Sequence, residues 1–202
     1  MTQNSDDLRV RRTRKLIREA LIALIEERSF DAITVGEIAK RAMVSRAAFY
    51  RYYHDKYDLV EQIFEEAIHT LMREIGPASR HLPGDLDPQY LPEPWVKLFE
   101  HFAGYERLYR VLLGGKGSSW FVTKMRTYLA DAMSERLQQS VCSSNGKHRA
   151  DTDGYVSTLI SALFIETIIW WLEHGRPQTP RQIAMRCSLL ASSVLKEVST
   201  WE

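Results

Sequence analysis

Residues 34–56, TVGEIAKRAMVSRAAFYRYYHDK, constrain the fold of this chain more than any other segment. A short helix is predicted to begin at Thr34, which forms a capping-box pattern with Glu37 three residues later. The chain turns near Met43, and a second short helix is predicted to begin at Ser45. Two short helices joined by a turn of about three or four residues are typical of the helix-turn-helix, whose second helix enters a DNA major groove.

The remainder of the sequence has helical spacing of its apolar residues and no segment with the period of a strand. Further helices are predicted at 8–27, 56–75, 95–103, 105–113, 119–138, 152–174 and 180–198. Residues 76–94 hold five of the seven prolines and are a predicted connector, and 139–150 are polar. We therefore predict an all-α fold of about nine helices, with a three-helix head at 1–55 and a larger helical body at 56–202.

Positive charge is concentrated in the predicted head. The chain has a net charge of +1, whereas residues 9–56 contain twelve Lys or Arg and six Asp or Glu, a local charge of +6. A basic run without a motif is more often a solvated helix face. Beside a helix-turn-helix, the same charge favours neutralisation of DNA phosphates.

The sequence carries no recognisable catalytic or metal-binding pattern. Cys142 and Cys187 are far apart and lack a CxxC or CxxH partner, so neither a disulfide framework nor a zinc site is predicted. The segment GGKGSS at 114–119 lacks the spacing of a phosphate-binding loop and has no strand before it. His101, next to Glu100, is interpreted as helix surface. We predict no enzyme activity, cofactor or metal.

The expected location is the cytoplasm, without a membrane contact. The N-terminal residues MTQNSDDLRVRR lack the apolar region of a signal peptide. The longest apolar run, 159–172, is interrupted by Ser161, Glu166 and Thr167 and is expected to be too short to span a bilayer. The cysteine content fits a reducing compartment.

A series of short motifs follows the amphipathic first helix in a fixed order and spacing. They are Phe30–Val35, Ile38–Ala39, Val44–Ser45, Phe49–Tyr50, and Lys56 with Leu59. Over residues 9–75 this series resembles the TetR family of transcriptional regulators. Residues 105–113 followed by GGKGSS, and residues 170–175, are similar to a C-terminal domain common in bacterial members of that family.

The resemblance implies a homodimer that binds double-stranded DNA at a near-palindromic operator. The expected function is repression of transcription under the control of a small-molecule effector, which would shift the helix at 56–75 and so change the spacing of the two heads. The alternative is a coregulator that acts through protein partners without binding DNA. This alternative is favoured only by Met43, which stands where the family commonly has a glycine with positive φ.

By match to the family motif, the head residues divide into DNA contacts and core. Thr34, Tyr50 and Lys56 are predicted to bind phosphates, and Arg46 to read a guanine edge. The other predicted contacts are Ser45, which opens the recognition helix, the small residues Ala47 and Ala48, and Arg51 and Tyr52. Phe49 and Tyr53 are predicted to be structural.

Candidates in the body are less specific, because most aromatic residues at helical spacing belong to the core. The effector candidates are Phe102, Tyr105, Tyr109, Trp120, Phe121, Phe164 and Glu166. Glu166, alone in an apolar helix, would meet a ligand or pair across the dimer. In the family the last two long helices form the dimer interface, and the candidates there are Ile165, Ile169, Trp170, Leu189 and Ser192.

Overall fold

A computed structural model of the chain describes residues 2–75, 93–143, 154–198 and 200. Within these residues it contains α-helices, one 3-10 turn at Phe30–Ala32, and no strand. The helices are α1 (Thr2–Glu27), α2 (Val35–Arg41), α3 (Arg46–Tyr50), α4 (Lys56–Ile75), α5 (Glu93–Gly104), α6 (Glu106–Leu113), α7 (Ser119–Ser143), α8 (Tyr155–Glu173) and α9 (Pro180–Val198). The predicted all-α fold with about nine helices is confirmed.

The helix ends agree best with the predictions where capping or proline signals are clear. Helices α4 and α9 begin and end where they were predicted. Helix α1 begins at Thr2 rather than near residue 8, because polar residues extend a helix without leaving an apolar period. Residues 76–92, most of the predicted connector, and residues 144–150 of the polar segment lie outside the described residues.

The chain folds into two compact units. The head unit comprises Met1–Thr70 and Val111–Ser118, and the body unit comprises Leu71–Arg110 and Ser119–Glu202. The domain boundary predicted after residue 55 falls at the start of α4, whereas the head unit includes most of that helix.

The core of the head unit is built from the apolar faces of α1 to α4 and the turn between α1 and α2. Its residues that are at most 2% exposed include Ile17, Leu21, Ile25, Phe30, Ile33, Ile38, Phe49 and Leu59. A fully buried side chain of this size contributes about 1.5–3 kcal/mol by leaving water. Apolar burial therefore fixes the relative positions of the two short helices, which have little intrinsic stability at this length.

Polar side chains also join α1 to α4. Arg14 Nη2 donates to Gln62 Oε1 at 2.8 Å, and Arg14 Nε donates to Tyr53 Oη at 3.3 Å. Arg14 and Arg18 both form ion pairs with Glu66. These contacts fix the register of α4 along the first helix.

The glycine-rich segment after α6 is part of the head unit. Phe30 N donates to Lys116 O at 3.0 Å, and Lys116 Nζ donates to Glu26 O at 3.0 Å. A Cβ at Gly117 would lie 2.1 Å from Leu112 O, so the close approach of the backbone requires glycine there. The sequence GGKGSS is thus a docking segment that holds the turn following α1.

In the body unit α7 and α9 pack against α8, and α5 packs against α9. Phe164 stacks on Trp95 with ring centroids 4.4 Å apart, and Trp171 is fully buried, with its Nε1 donating to Gln178 O at 2.9 Å. Helix α8 is long and apolar enough to cross a bilayer by length and composition, contrary to the expectation that it is too short. Half of it is buried inside the protein, as in a core helix.

Candidate nucleic-acid interface

Residues 42–45 form the turn between α2 and α3. The N–H of Met43 donates to Lys40 O at 3.1 Å and that of Val44 to Ala39 O at 3.0 Å, which closes the end of α2. Ser45 Oγ accepts a hydrogen bond from Ala48 N at 3.0 Å and caps α3. The predicted helix-turn-helix is therefore formed in full.

Met43 occupies the left-handed backbone region, with a φ of 55°. This positive φ explains why the family commonly has glycine at the turn, because the Cβ of any other residue in the left-handed region lies close to the following carbonyl oxygen. The Met43 side chain is 87% exposed, so the turn accommodates it without displacing the core. The turn therefore forms its hydrogen bonds with methionine at this position, at the cost of a strained backbone angle.

Replacing Met43 with glycine should raise the free energy of unfolding by about 1 kcal/mol, because the Cβ contact is removed. Chemical denaturation of the purified protein measures the change. The matched control is Met43→Ala, which removes the exposed side chain but keeps the Cβ, and should differ from the parent by less than about 0.5 kcal/mol. Equal stabilisation by alanine and glycine would show that the backbone angle is not the cause.

Thr34 and Glu37 form the predicted capping box at the start of α2. Thr34 Oγ1 and Thr34 N donate to Glu37 Oε2 at 2.7 and 2.9 Å, and Glu37 N donates to Thr34 Oγ1 at 3.3 Å. Hydrogen bonds from Arg28 and then from Thr34 lower the pKa of Glu37 to about 2. The hydroxyl proton of Thr34 is engaged in the cap, so the phosphate contact predicted for Thr34 requires that hydrogen bond to be released.

The outer face of α3 displays most of the predicted DNA contacts. Exposed side chains are those of Ser45, Arg46, Ala47, Tyr50 and Arg51, while Ala48 and Tyr52 are half-buried. Phe49 and Tyr53 are 0% and 4% exposed, which confirms the prediction that they are structural. Tyr50 is 57% exposed, and its ring meets Phe49 edge-on at 5.6 Å. Phe49 thus anchors the helix so that its cationic and phenolic groups face solvent.

The Arg46 side chain lies against α2. A Cβ built on Gly36 would be 2.5 Å from Arg46 Nη2, so the guanidinium in this conformation lies directly over the glycine. Arg46 is exposed and has no acidic partner within the described part of the chain. A guanidinium in this state retains its donors for the O6 and N7 atoms of a guanine.

Lys56 makes contacts within the head unit that the family motif did not predict. Its Nζ donates to the backbone oxygens of Phe30, Asp31 and Ile33 at 2.9, 3.0 and 3.0 Å. The ammonium group also lies 4.7 Å from the centroid of the Phe30 ring and 5.4 Å from that of Tyr57. An ammonium has three donors, and all are used here. Lys56 thus clamps the turn between α1 and α2, and the phosphate contact predicted for it requires at least one of these hydrogen bonds to be released.

The basic block divides into cations with internal partners and cations that face solvent. Arg14, Arg18, Arg28 and Arg41 pair with carboxylates of the head unit. Among the residues that the structure describes, the exposed cations of the basic block at 9–56 with no ion pair are Arg9, Arg12, Lys15, Lys40, Arg46 and Arg51. Only these six cations are free to neutralise phosphates, which is fewer than the twelve Lys and Arg residues counted in the sequence of the block.

The body residues predicted to bind an effector do not all share one environment. Phe102, Tyr109, Phe121 and Phe164 are each 1% exposed, while Tyr105 and Trp120 are half-buried. Glu166 is exposed and pairs with Arg126 of α7 at 3.7 Å. The Glu166 carboxylate is therefore on the surface in an ion pair, whereas four of the candidate rings are buried, and its effector role stays a prediction.

A buried histidine lies beside three of these rings. His101 is 3% exposed, which contradicts its interpretation as helix surface. Its Nε2 lies 2.9 Å from Tyr109 Oη, and its ring centroid is 4.7 Å from that of Tyr105 and 5.8 Å from that of Phe102. Its place between Phe99 and Phe102, at the border of the apolar face of α5, is the signal that could have identified it.

Two predicted interface residues are buried within the single chain. Ile165 is 0% exposed, and Ser192 is 7% exposed with its hydroxyl donating to Ser188 O at 2.6 Å. Ile165 is therefore removed from the candidate interface, because its side chain is fully buried within one chain, and Ser192 has only a small exposed fraction that a partner can reach. Trp170 and Leu189 remain, at 43% and 41% exposed, and Ile169 is half-buried.

Comparison with known protein families gives matches to both parts of the chain. The family model described as bacterial regulatory proteins, tetR family, matches residues 17–63. A model described as transcriptional regulator C-terminal region matches residues 91–193, which is more than half of the chain. The uncharacterized HTH-type transcriptional regulator YxbF of Bacillus subtilis (strain 168) is 38% identical over 66 residues, which are 33% of this chain and 17% of that protein.

Solved structures show the same fold at low sequence identity. A putative TetR-family transcriptional regulator from Syntrophomonas wolfei has a TM-score of 0.68 and 16% identity, over 91% of this chain and 95% of that one. FadR of Thermus thermophilus, a TetR-family transcriptional repressor solved with lauroyl-CoA, has a TM-score of 0.55 and 20% identity, over 94% and 96%. Together with the helix-turn-helix and the two family matches, these findings show that this chain belongs to the TetR family of bacterial transcriptional regulators.

Proposed function

We propose that the protein is a homodimeric repressor that binds a near-palindromic operator and releases it when a small molecule binds the body. The observation that carries this proposal is the outward face of α3. There Phe49 is buried while Arg46, Tyr50 and Arg51 are exposed. A helix anchored in this way presents donors to base edges and phosphates without rearrangement of the head. The proposal includes a cytoplasmic location and no catalytic activity.

The exposed apolar residues of the last two helices support a dimer. Tyr155, Leu159 and Trp170 are 51%, 39% and 43% exposed and follow one stripe of α8. Leu189 and Leu190 of α9 are 41% and 54% exposed. Exposed apolar groups of this size on adjacent helices are typical of an interface, and a second copy offers the same stripe across a two-fold axis.

Control by a ligand is supported by the aromatic content of the body unit. Its helices bring together many buried rings, as binding sites for apolar molecules require. FadR of Thermus thermophilus, which shares this fold, was solved with lauroyl-CoA. Repression would end if the ligand binds more tightly to a state of the dimer whose head spacing does not match the operator.

The alternative is a coregulator that does not bind DNA. It depended on Met43, and the turn closes around that residue with its hydrogen bonds formed.

Arg46→Ala should weaken operator binding by about 1–3 kcal/mol and relax the preference at one base pair, because the guanidinium is the proposed base contact. Tyr50→Phe should weaken binding by about 1 kcal/mol on every sequence, because a phosphate contact carries no base information. Gel-shift titrations with the DNA upstream of the gene and with single-base variants at two salt concentrations measure both effects. A protein that ignores every duplex at low salt would overturn the proposed function.

A further inference from the structure

His101 is a buried polar residue for which the described fold provides only half of the hydrogen bonds. It is 3% exposed, and its Nε2 is paired with Tyr109 Oη at 2.9 Å. Its Nδ1 is buried and has no hydrogen-bond partner among the residues that the structure describes. Buried polar atoms are nearly always paired, so an orphaned ring nitrogen indicates a position that another molecule completes.

The side chains whose rings contact His101 are aromatic, and the exposed carboxylate of Glu74 is the charge that acts on it. The rings of Tyr105, Tyr109 and Phe102 lie 4.7, 5.7 and 5.8 Å from the imidazole, centroid to centroid. Burial lowers the pKa of His101 and raises the pKa of Tyr109, so both groups are neutral at physiological pH. An anionic ligand would leave water for a cluster whose neighbouring charge, Glu74, is also negative, which is unfavourable. A flat apolar molecule would instead pack against ring faces and edges.

The hydrogen bond to Tyr109 determines which polar group suits the orphaned nitrogen. If Tyr109 donates its hydroxyl proton to Nε2, the neutral imidazole carries its proton on Nδ1 and donates to the ligand. If Nε2–H donates to Tyr109, Nδ1 is an acceptor. A hydroxyl group can serve both arrangements because it both donates and accepts. A carbonyl group serves only the first.

We propose that the effector is a neutral aromatic molecule with a hydroxyl group, a phenol in chemical class, which bonds to Nδ1 of His101 and packs against Tyr105 and Phe102. This assignment rests on the proposed control of the protein by a small molecule. Tyr105 is the least buried ring of the cluster and marks the side that a ligand approaches. The site lies wholly within the body unit, on α5, α6 and the residue between them.

The test uses the full-length protein and three probes of similar size, namely phenol, toluene and benzoate. Phenol should bind about 5-fold or more tightly than toluene, because one hydrogen bond to an otherwise unpaired buried group separates them. Benzoate should not bind measurably. Titration of protein labelled with ¹⁵N at histidine should shift the Nδ1 resonance of His101 with phenol. Equal affinity for phenol and toluene, or phenol binding that leaves the His101 resonance unchanged, would overturn the proposal.

A variant gives an independent measure. His101→Phe keeps a flat side chain and removes the orphaned nitrogen, so the preference for phenol over toluene should disappear. If that variant fails to fold, the relative affinity of the parent protein for phenol and toluene still tests the proposal. The outcome is separable from the proposed function. A protein that binds DNA but not phenol keeps DNA binding and loses this inference. A protein that binds phenol but no DNA loses the proposed function and keeps only the phenol site.

Discussion

Replacing both Leu189 and Leu190 with glutamate should convert the protein to monomers and reduce its affinity for a full operator by about 10²- to 10⁴-fold. The loss is large because a dimer binds the second half-site at the high effective concentration that the first one creates. The two leucines are 41% and 54% exposed within a single chain, so the substitutions should leave its fold intact. Four buried carboxylates across a two-fold axis cannot all be solvated or paired.

Sedimentation and gel-shift titrations on full and half operators measure this effect. The parent protein should prefer the full operator, whereas the double variant should bind both with similar, low affinity. The matched control is Met72→Glu, since Met72 on α4 is 42% exposed and lies outside α8 and α9. The interface assignment is wrong if the double variant sediments as a dimer, or if Met72→Glu dissociates the protein equally.

Lys56→Met should lower the free energy of unfolding by about 3 kcal/mol. The substitution keeps the aliphatic stem and removes an ammonium group that donates to three carbonyl oxygens. Hydrogen bonds from a charged donor each contribute about 1.5–3 kcal/mol, and partial access of water to this site reduces the sum. Chemical denaturation measures the loss. Lys40→Met is the control, because Lys40 is exposed and should change stability by less than about 0.5 kcal/mol.

DNA binding distinguishes the structural role of Lys56 from the phosphate contact predicted by the family motif. A lost phosphate contact would lower the slope of log affinity against log salt by about 1 and leave stability unchanged. A lost clamp should lower stability and leave that slope unchanged under conditions where the variant remains folded. Parent-like stability together with a reduced slope would restore the original assignment.

The parts of the molecule that sequence patterns predicted are those governed by local rules. Periodic apolar residues located the helices, and the Thr34–Glu37 pair and Ser45 located the starts of α2 and α3 through their capping geometry. Burial of Phe49 and Tyr53 followed from their spacing. These features depend on residues within a few positions of one another, so they are visible in a sequence without its fold.

The parts that were missed depend on contacts between different helices and turns. The carbonyl partners of Lys56 are more than twenty positions away, and no pattern in α4 indicates them. The burial of Ile165 and Ser192 depends on how α8 and α9 pack, because an apolar helix shows no clear inner side. The pairing of His101 with Tyr109 crosses from α5 to α6. Each required the tertiary structure.

The route of the chain through the head unit also limits how the gene can be cut or recombined. The head unit is not one continuous stretch of sequence, because Val111–Ser118, which follow α5, are part of it. A fragment that stops at residue 70 would lack Lys116, leaving the N–H of Phe30 without its acceptor. Chimaeras that exchange the body unit between homologues should therefore keep Val111–Ser118 from the same parent as the N-terminal part of the head unit.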